Sequence, residues 1–278
     1  MKQIPVPLGI HTDLPDGQYH ADRSFSRSFA WKAYSKTWAH AVGEEQKESN
    51  AFDVGHGIHV SILEPERFED AVLRGPIDRR GNRWKEARAC ADDCGALLLV
   101  DKDYDAVLAV RDAVHADYGL HNIITGGQAA VENSAIWVDK ETGERCRVRP
   151  DLVRPDLRIM LDLKSSVSAA HRDVQKYVAT YGYHLQDAMY RHGWESAGGG
   201  EIEGYVFLVV EKEPPYEHAL FELDETASHE GWLIFRRMLD EYHQCKQTGV
   251  FPGYARQVQD LSLPPWAYHE QIETEVQL

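Results

Sequence analysis

Residues 149–166 read RPDLVRPDLRIMLDLKSS, with Pro-Asp twice and then Asp-Leu-Lys. Ile159, Leu161 and Leu163 alternate with Met160, Asp162 and Lys164, the period of a strand with two distinct faces. Arg145 to Arg154 alternates in the same way, less strictly. Between the two, Pro155-Asp156-Leu157-Arg158 puts proline at the first position of a turn, where its fixed φ already fits. With Asp156 and Leu157 as the loop, Asp151 stands directly opposite Asp162, roughly 5 Å away at Cβ. A bulge would shift that register. Lys164, two residues on, shares the face of Asp162. Like charges opposed across a sheet destabilise it. A divalent cation relieves the repulsion, and carboxylate oxygens suit Mg²⁺ or Mn²⁺. The alternative is a solvated hairpin carrying ordinary surface charge.

Outward from this hairpin the pattern continues as strand and then helix. Glu132 to Val138 reads as a strand that turns at KETGE (140–144) into Arg145 to Arg154, which makes a three-stranded meander. Glu132, apolar-flanked in AAVENSAIW, is a third carboxylate entering the sheet beside two aspartates. After Lys164 the period changes to that of a helix. Val178, Tyr181, Leu185 and Ala188 form one stripe, and Gly193 is a natural stop. Gln186 and Tyr190 lie at i and i+4 on that helix, one turn beyond Gly182. EGYVFLVVEKE and HALFELD are strands. A long helix follows, capped at Asp224 or Thr226 and ended by Gly249.

Upstream, a helix is expected from about Ser26 to Ala41, and a second ends near Glu64 before Pro65. The second helix carries His59, with Gly55 one turn earlier on the same face, where it permits close approach; His56 is the rival imidazole. Further helices span Trp84–Cys94 and Asp101–Ala116. Residues 1–22 form an extended leader and 256–278 an irregular tail. This order of helices, hairpin, helix, strands and helix predicts an α/β fold, with a central mixed β-sheet flanked by helices.

The chain has 278 residues, 43% of them hydrophobic, enough for a sizeable core. It holds no apolar run of membrane-spanning length and no signal-like segment, so a non-membrane, cytoplasmic protein is expected. Cys90, Cys94, Cys146 and Cys245 are scattered and read as free thiols. A net charge of −15 argues against a passive nucleic-acid coat. It leaves room for local phosphate grip. Residues 74–88 hold six basic residues against two acidic ones, and Arg79, Arg80 and Arg83 are candidate phosphate contacts. ITGGQAA lacks the lysine and spacing of a phosphate-cradling loop, and no serine nucleophile elbow is present.

Asp151 with Asp162-x-Lys164 on adjacent strands, followed by a helix bearing Gln186 and Tyr190, resembles the PD-(D/E)XK nuclease superfamily. GHGIHVSILEPERF is similar to the Gly-x₃-His helix of RecB-type nuclease domains, whose histidine reaches a metal. VENSAIWVDKETGERCRVRPDL resembles the Glu-bearing strand and hairpin of phage exonucleases of the exonuclease VIII (RecE) type. YHADRSFSRS and RRGNRWKEA look like flanking segments of that family, and the likeness spans roughly residues 19 to 255. It distinguishes the two Pro-Asp pairs: Asp151 takes the family's position and Asp156 falls in the turn. One departure is Asp162, where many superfamily members carry Glu.

The resemblance implies a restriction-endonuclease-like core, with a nuclease domain at residues 23–255. It implies a Mg²⁺-dependent exodeoxyribonuclease, with Mn²⁺ able to substitute, acting on double-stranded DNA ends. Digestion would run 5′ to 3′ and processively, leaving 3′ tails for recombination by annealing. The implied metal ligands are His59, Glu132, Asp151, Asp162 and the carbonyl of Leu163. The implied role of Lys164 is to hold or activate water and to meet charge on the phosphate, with Gln186 orienting Lys164 or the water. Tyr190 would contact the DNA backbone. A homo-oligomeric ring and a single-strand annealing protein are the implied partners. The alternatives are a structure-specific or single-strand nuclease with the same core, a silent DNA-binding module, and a hydrolase of unrelated carboxylate–metal chemistry.

Overall fold

A computed structural model describes residues 5–43, 50–264 and 267 of the chain. The strands are β1 (Gly9–His11), β2 (Phe25–Ser26), β3 (Val72–Arg74), β4 (Leu97–Leu99), β5 (Ala130–Val131), β6 (Ser134–Val138), β7 (Arg145–Val148), β8 (Leu152–Arg154), β9 (Ile159–Ser166), β10 (Gly204–Glu211) and β11 (His218–Glu222). The helices are α1 (Asp16–Ala21), α2 (Arg27–Ser35), α3 (Trp38–Gly43), α4 (Asn50–Leu63), α5 (Phe68–Ala71), α6 (Gly81–Cys94), α7 (Asp101–Ala116), α8 (Tyr118–Thr125), α9 (His171–Tyr181), α10 (Tyr183–Ser196) and α11 (Glu225–Thr248).

The central sheet is five-stranded and mixed, in the order β11-β10-β9-β8-β5, with β9 and β10 parallel and the other pairs antiparallel. Its middle strands are buried on both faces, which explains their near-continuous apolar sequence. On one face Met160, Tyr205, Phe207 and Val209 pack with Leu185 and Met189 of α10 and with Phe235 and Met238 of α11. On the other, Leu161, Leu163, Leu208 and Val210 pack with Ile58 and Ile62 of α4 and Val107 and Val110 of α7. This is the expected α/β architecture, a mixed sheet flanked by helices. A four-stranded sheet, β1-β6-β7-β2, and a two-stranded one, β3-β4, complete the fold.

The hairpin register is the one the alternation predicts. Leu152 pairs with Leu161 and Arg154 with Ile159, which sets Asp151 level with Asp162. The turn is longer than two residues and spans Pro155 to Arg158, with the Leu157 N–H donating to the Arg154 carbonyl at 3.1 Å.

The predicted meander is divided between two sheets. β6 and β7 pair in the four-stranded sheet, whereas β5 and β8 pair in the central one. Both chains leave one sheet for the other at the same level. There Glu132 takes a left-handed φ of 52° and its N–H donates to the Asp151 carbonyl at 3.1 Å. The strand expected from Arg145 to Arg154 is broken between Val148 and Leu152, where Pro150 interrupts the alternation.

Two helices expected to be continuous are broken. Ser26 caps α2, its hydroxyl accepting from the Phe29 N–H, but Lys36 leaves helical geometry before α3. Gly182, at φ 69°, separates α9 from α10. A Cβ there would lie 2.3 Å from the Trp31 ring, so no other residue fits this junction. Gly193 is not a stop; it lies inside α10 against Trp137. The leader, read as extended, carries β1 and α1, and the Tyr19 ring of α1 lies between the guanidiniums of Arg147 and Arg149. The predicted tail is irregular through residue 264; residues 265, 266 and 268–278 lie outside the described ones.

Candidate active site

The corner between the two sheets gathers carboxylates. Asp151 sits just before β8 and Glu132 between β5 and β6. His59 reaches them from α4, which Gly55 allows to approach β9: a Cβ on Gly55 would stand 3.2 Å from Ser165 Oγ. Ligand atoms of His59, Glu132 and Asp151 all lie within 4.8 Å of one another. His59 Nδ1 is 3.6 Å from Asp151 Oδ2, and that same oxygen accepts from the Leu163 N–H at 2.7 Å. His59 also hydrogen-bonds to the Leu163 backbone.

Asp162 adjoins this corner and is tied to α10 and β10 through one carboxylate oxygen. It is 1% exposed. Its Oδ1 accepts from Gln186 Nε2 and from the Tyr205 hydroxyl at 3.3 Å. Lys164 Nζ lies 2.5 Å from Asp162 Oδ2, yet that oxygen is buried with no hydrogen bond of acceptable geometry. The ammonium contributes charge there without a directed bond. Gln186 therefore steadies Asp162, the partner of Lys164. Tyr190 lies beside Tyr205, with ring centroids 6.4 Å apart.

The electrostatics of this arrangement favour a cation. Burial, then the neighbouring Asp162, raises Asp151 to about 8. Burial, then Asp151, raises Glu132 to about 8. Burial, then Lys164, lowers His59 to about 4, so its imidazole is neutral with a lone pair available near pH 7. Two carboxyls held partly protonated, a neutral imidazole and a buried unsatisfied carboxylate oxygen form a donor set of the kind that takes a hard divalent ion. These residues fit the divalent metal that the sequence resemblance implies.

Of the sequence-predicted residues, His59, Glu132 and Asp151 converge closely. Asp162, Lys164 and Gln186 form an adjoining network, and the Leu163 backbone joins the two. Arg79, Arg80 and Arg83 are not among the residues that converge at the corner, and two of them are paired with aspartates. Arg79 pairs with Asp53 at 3.7 Å and lies over Trp84, and Arg80 pairs with Asp78 at 3.1 Å. Arg83 is exposed on α6. Tyr205 was not anticipated. Its signal was GYVFLVV, a strand whose place beside β9 the sequence did not reveal. His56 lies between two cavities, lining both along with His59.

A family model described as a PDDEXK-like domain of unknown function (DUF3799) matches residues 26–263. The fold is similar to the crystal structure of a "putative exonuclease" from Eubacterium rectale, with a TM-score of 0.62 and 13% identity over 91% of this chain and 96% of that one. A second structure, SSO0001, aligns over 71% of this chain and 88% of that one at 16% identity. Its TM-score is 0.30, too low to bear on the fold. No curated protein matches the chain in sequence.

Proposed function

Because the chain belongs to the PDDEXK-like domain family that matches residues 26–263, we propose that it is a metal-dependent nuclease hydrolysing DNA phosphodiesters at the corner between its two sheets. The observation that carries this reading is the meeting of His59, Glu132 and Asp151, from three separate chain segments, beside the buried Asp162–Lys164 pair.

His59, Glu132, Asp151 and Asp162, with the Leu163 carbonyl, would hold the ion. A bound Mg²⁺ or Mn²⁺ supplies Lewis-acid charge for the scissile phosphate and the attacking water. Lys164 presents its ammonium to the charge that grows on phosphate and fixes the attacking water. Gln186 and Tyr205 keep Asp162 oriented through its Oδ1. Tyr190, beside Tyr205, is the proposed contact to the DNA backbone.

The finer reading is exonucleolytic digestion of duplex ends, 5′ to 3′ and processive, leaving 3′ tails that an annealing protein takes up in recombination. It includes a homo-oligomeric ring around DNA in a phage or bacterial cytoplasmic setting. It rests on the resemblance of the His59 helix, the Glu132–Asp151 hairpin and the Gln186-x₃-Tyr190 element to exonuclease VIII-type enzymes.

Purified protein incubated with Mg²⁺ and blunt, 5′-tailed or circular DNA tests the reading. The expected result is progressive loss from linear duplex ends, abolished by chelator. Cleavage of circles would replace the exonuclease with an endonuclease. Intact DNA under every metal condition would overturn the nuclease assignment.

A further inference from the structure

One cavity, of about 630 Å³, opens directly from the metal corner, with His59, Leu163 and Lys164 in its wall. Its far wall is aromatic. Tyr177 and Tyr181 have ring centroids 6.0 Å apart, as do Tyr181 and Tyr183, and Tyr183 stacks on Phe207 at 5.3 Å and 20°. Lys164 Nζ stands 5.1 Å from the centre of the Tyr183 ring, and Lys212 also lines the cavity. Tyr181 is 51% exposed and Val167, at the same mouth, 76%.

The tyrosines reach this cavity through the junction at Gly182. On a continuous helix, residues 181 and 183 would point roughly 200° apart. The left-handed turn at Gly182 brings both rings into one wall. Among the described residues, no carboxylate lines this cavity. The neighbouring cavity beyond His59 is lined by Asp13, Asp16, Glu64 and Glu132. In a chain of net charge −15, that separation leaves one approach to the metal corner open to an anionic ligand.

We propose that the Tyr177–Tyr181–Tyr183 cleft is a stacking subsite for unpaired nucleobases of the strand being cut, with Lys212 and Lys164 meeting its phosphates. The inference rests on the nuclease reading above and adds to it: the strand enters the corner unstacked, and its end is separated from the complement before cleavage. Aromatic faces accept any base, so the subsite is sequence-tolerant. The cavity volume is in the usual range for a small-ligand site.

Short single-stranded oligonucleotides bound in Ca²⁺ test it. One set carries 2-aminopurine near the 5′ end, and a matched set carries abasic sites there. The expected result is quenched 2-aminopurine fluorescence and binding about tenfold weaker for the abasic oligonucleotide. Tyr181→Leu and Tyr177→Leu remove both the quenching and the abasic difference, while Tyr181→Phe, which keeps the ring, retains them. Circular dichroism of each variant guards against misfolding, and the Phe variant keeps the test decisive if a Leu variant unfolds. Equal binding of base-bearing and abasic strands by the parent protein, or an abasic difference that survives both Leu substitutions, overturns the subsite while leaving DNA cleavage intact. Absence of any DNA binding or cleavage overturns the nuclease reading, and the subsite with it.

Discussion

Two charge-rich regions of opposite sign also differ in how their charge is met. The corner of Glu132, Asp151 and Asp162 buries carboxylates of one sign with few compensating groups. The basic segment 74–88 is exposed and largely neutralised by its own neighbours. Arg74 reaches Asp101 at 2.5 Å and Asp105 at 2.6 Å, and Arg88 reaches Asp92 at 2.9 Å. Carboxyls that are buried and crowded must be met by protons or by a cation, whereas charge that is exposed and paired is worth little to stability and offers little to a partner. Function follows desolvation and pairing, and a count of charges reports neither.

The strongest way to break the comparison is at the corner. Asp151→Asn and Asp162→Asn should each abolish hydrolysis and weaken Mg²⁺ or Mn²⁺ binding in calorimetric titration, with the fold retained. Unchanged metal affinity in both would put the ion elsewhere. Lys164→Ala should leave DNA affinity within a few-fold while lowering single-turnover cleavage by about 10² or more. Gln186→Ala should lose less, since Asp162 keeps the Tyr205 hydroxyl. A Lys164 variant cutting at the parental rate would remove the ammonium from the mechanism.

The same burial predicts a pH signature. Asp151 and Glu132 have raised pKa values, so the folded protein keeps protons that the unfolded chain releases above the ordinary carboxylate range. Stability of the metal-free protein should therefore fall as pH rises from the ordinary carboxylate range through about 8, and level off above it. His59, lowered to about 4, acts oppositely below pH 6.5, because there the unfolded chain binds the extra proton. The carboxylate effect is thus cleanest between pH 6.5 and 8.5. Scanning calorimetry should show Tm dropping across that window by about 2–4 °C for each kcal/mol lost. Added Mg²⁺ or Mn²⁺ should largely cancel the drop, because the ion takes the place of the protons. A metal-free Tm that is flat from pH 6.5 to 8.5 would contradict the burial argument.

Asp156 sharpens the contrast from the structural side. It binds Arg154 through two contacts, at 2.9 and 2.7 Å, and Arg154 also donates to the Asn122 and Ile123 carbonyls at the end of α8. Asp156→Ala should keep parental cleavage and melt at a lower temperature. Loss of cleavage in a folded variant would mean that the second Pro-Asp pair takes part in the chemistry.

The smallest effect belongs to the basic segment. Each phosphate neutralised contributes roughly −0.9 to the slope of log K against log salt. Replacing Arg79 and Arg80 by Ala should flatten that slope by about 1 or less, because both already pair with aspartates. Lys212→Ala, which removes one cation from the tyrosine cleft, should match it. A flattening near 2 for the Arg79/Arg80 variant would restore this loop as a DNA track.

The legible part of the molecule was the part governed by local period. The Asp151–Asp162 register, the turn position of Asp156, the Ser26 and Asp224 caps and the approach of Gly55 to β9 all follow from spacing along a strand or helix. What escaped depends on contacts distant in sequence. Asp101 and Asp105 neutralise Arg74 from 27 and 31 residues away. Gly182 is irreplaceable at its left-handed break because the Trp31 ring fills the space a Cβ would need. Tyr205 reaches Asp162 only because β10 runs parallel to β9.

The left-handed backbone of Glu132 sets durability against activity at a single position. A non-glycine residue there costs about 1 kcal/mol or more, and its carboxyl is desolvated beside another acid. Glycine would relax the backbone and remove the repulsion, giving a sturdier chain with an incomplete metal corner. Any search for more heat-resistant variants that does not also screen for cleavage will be drawn to this residue, and will harvest proteins that endure because they have stopped working.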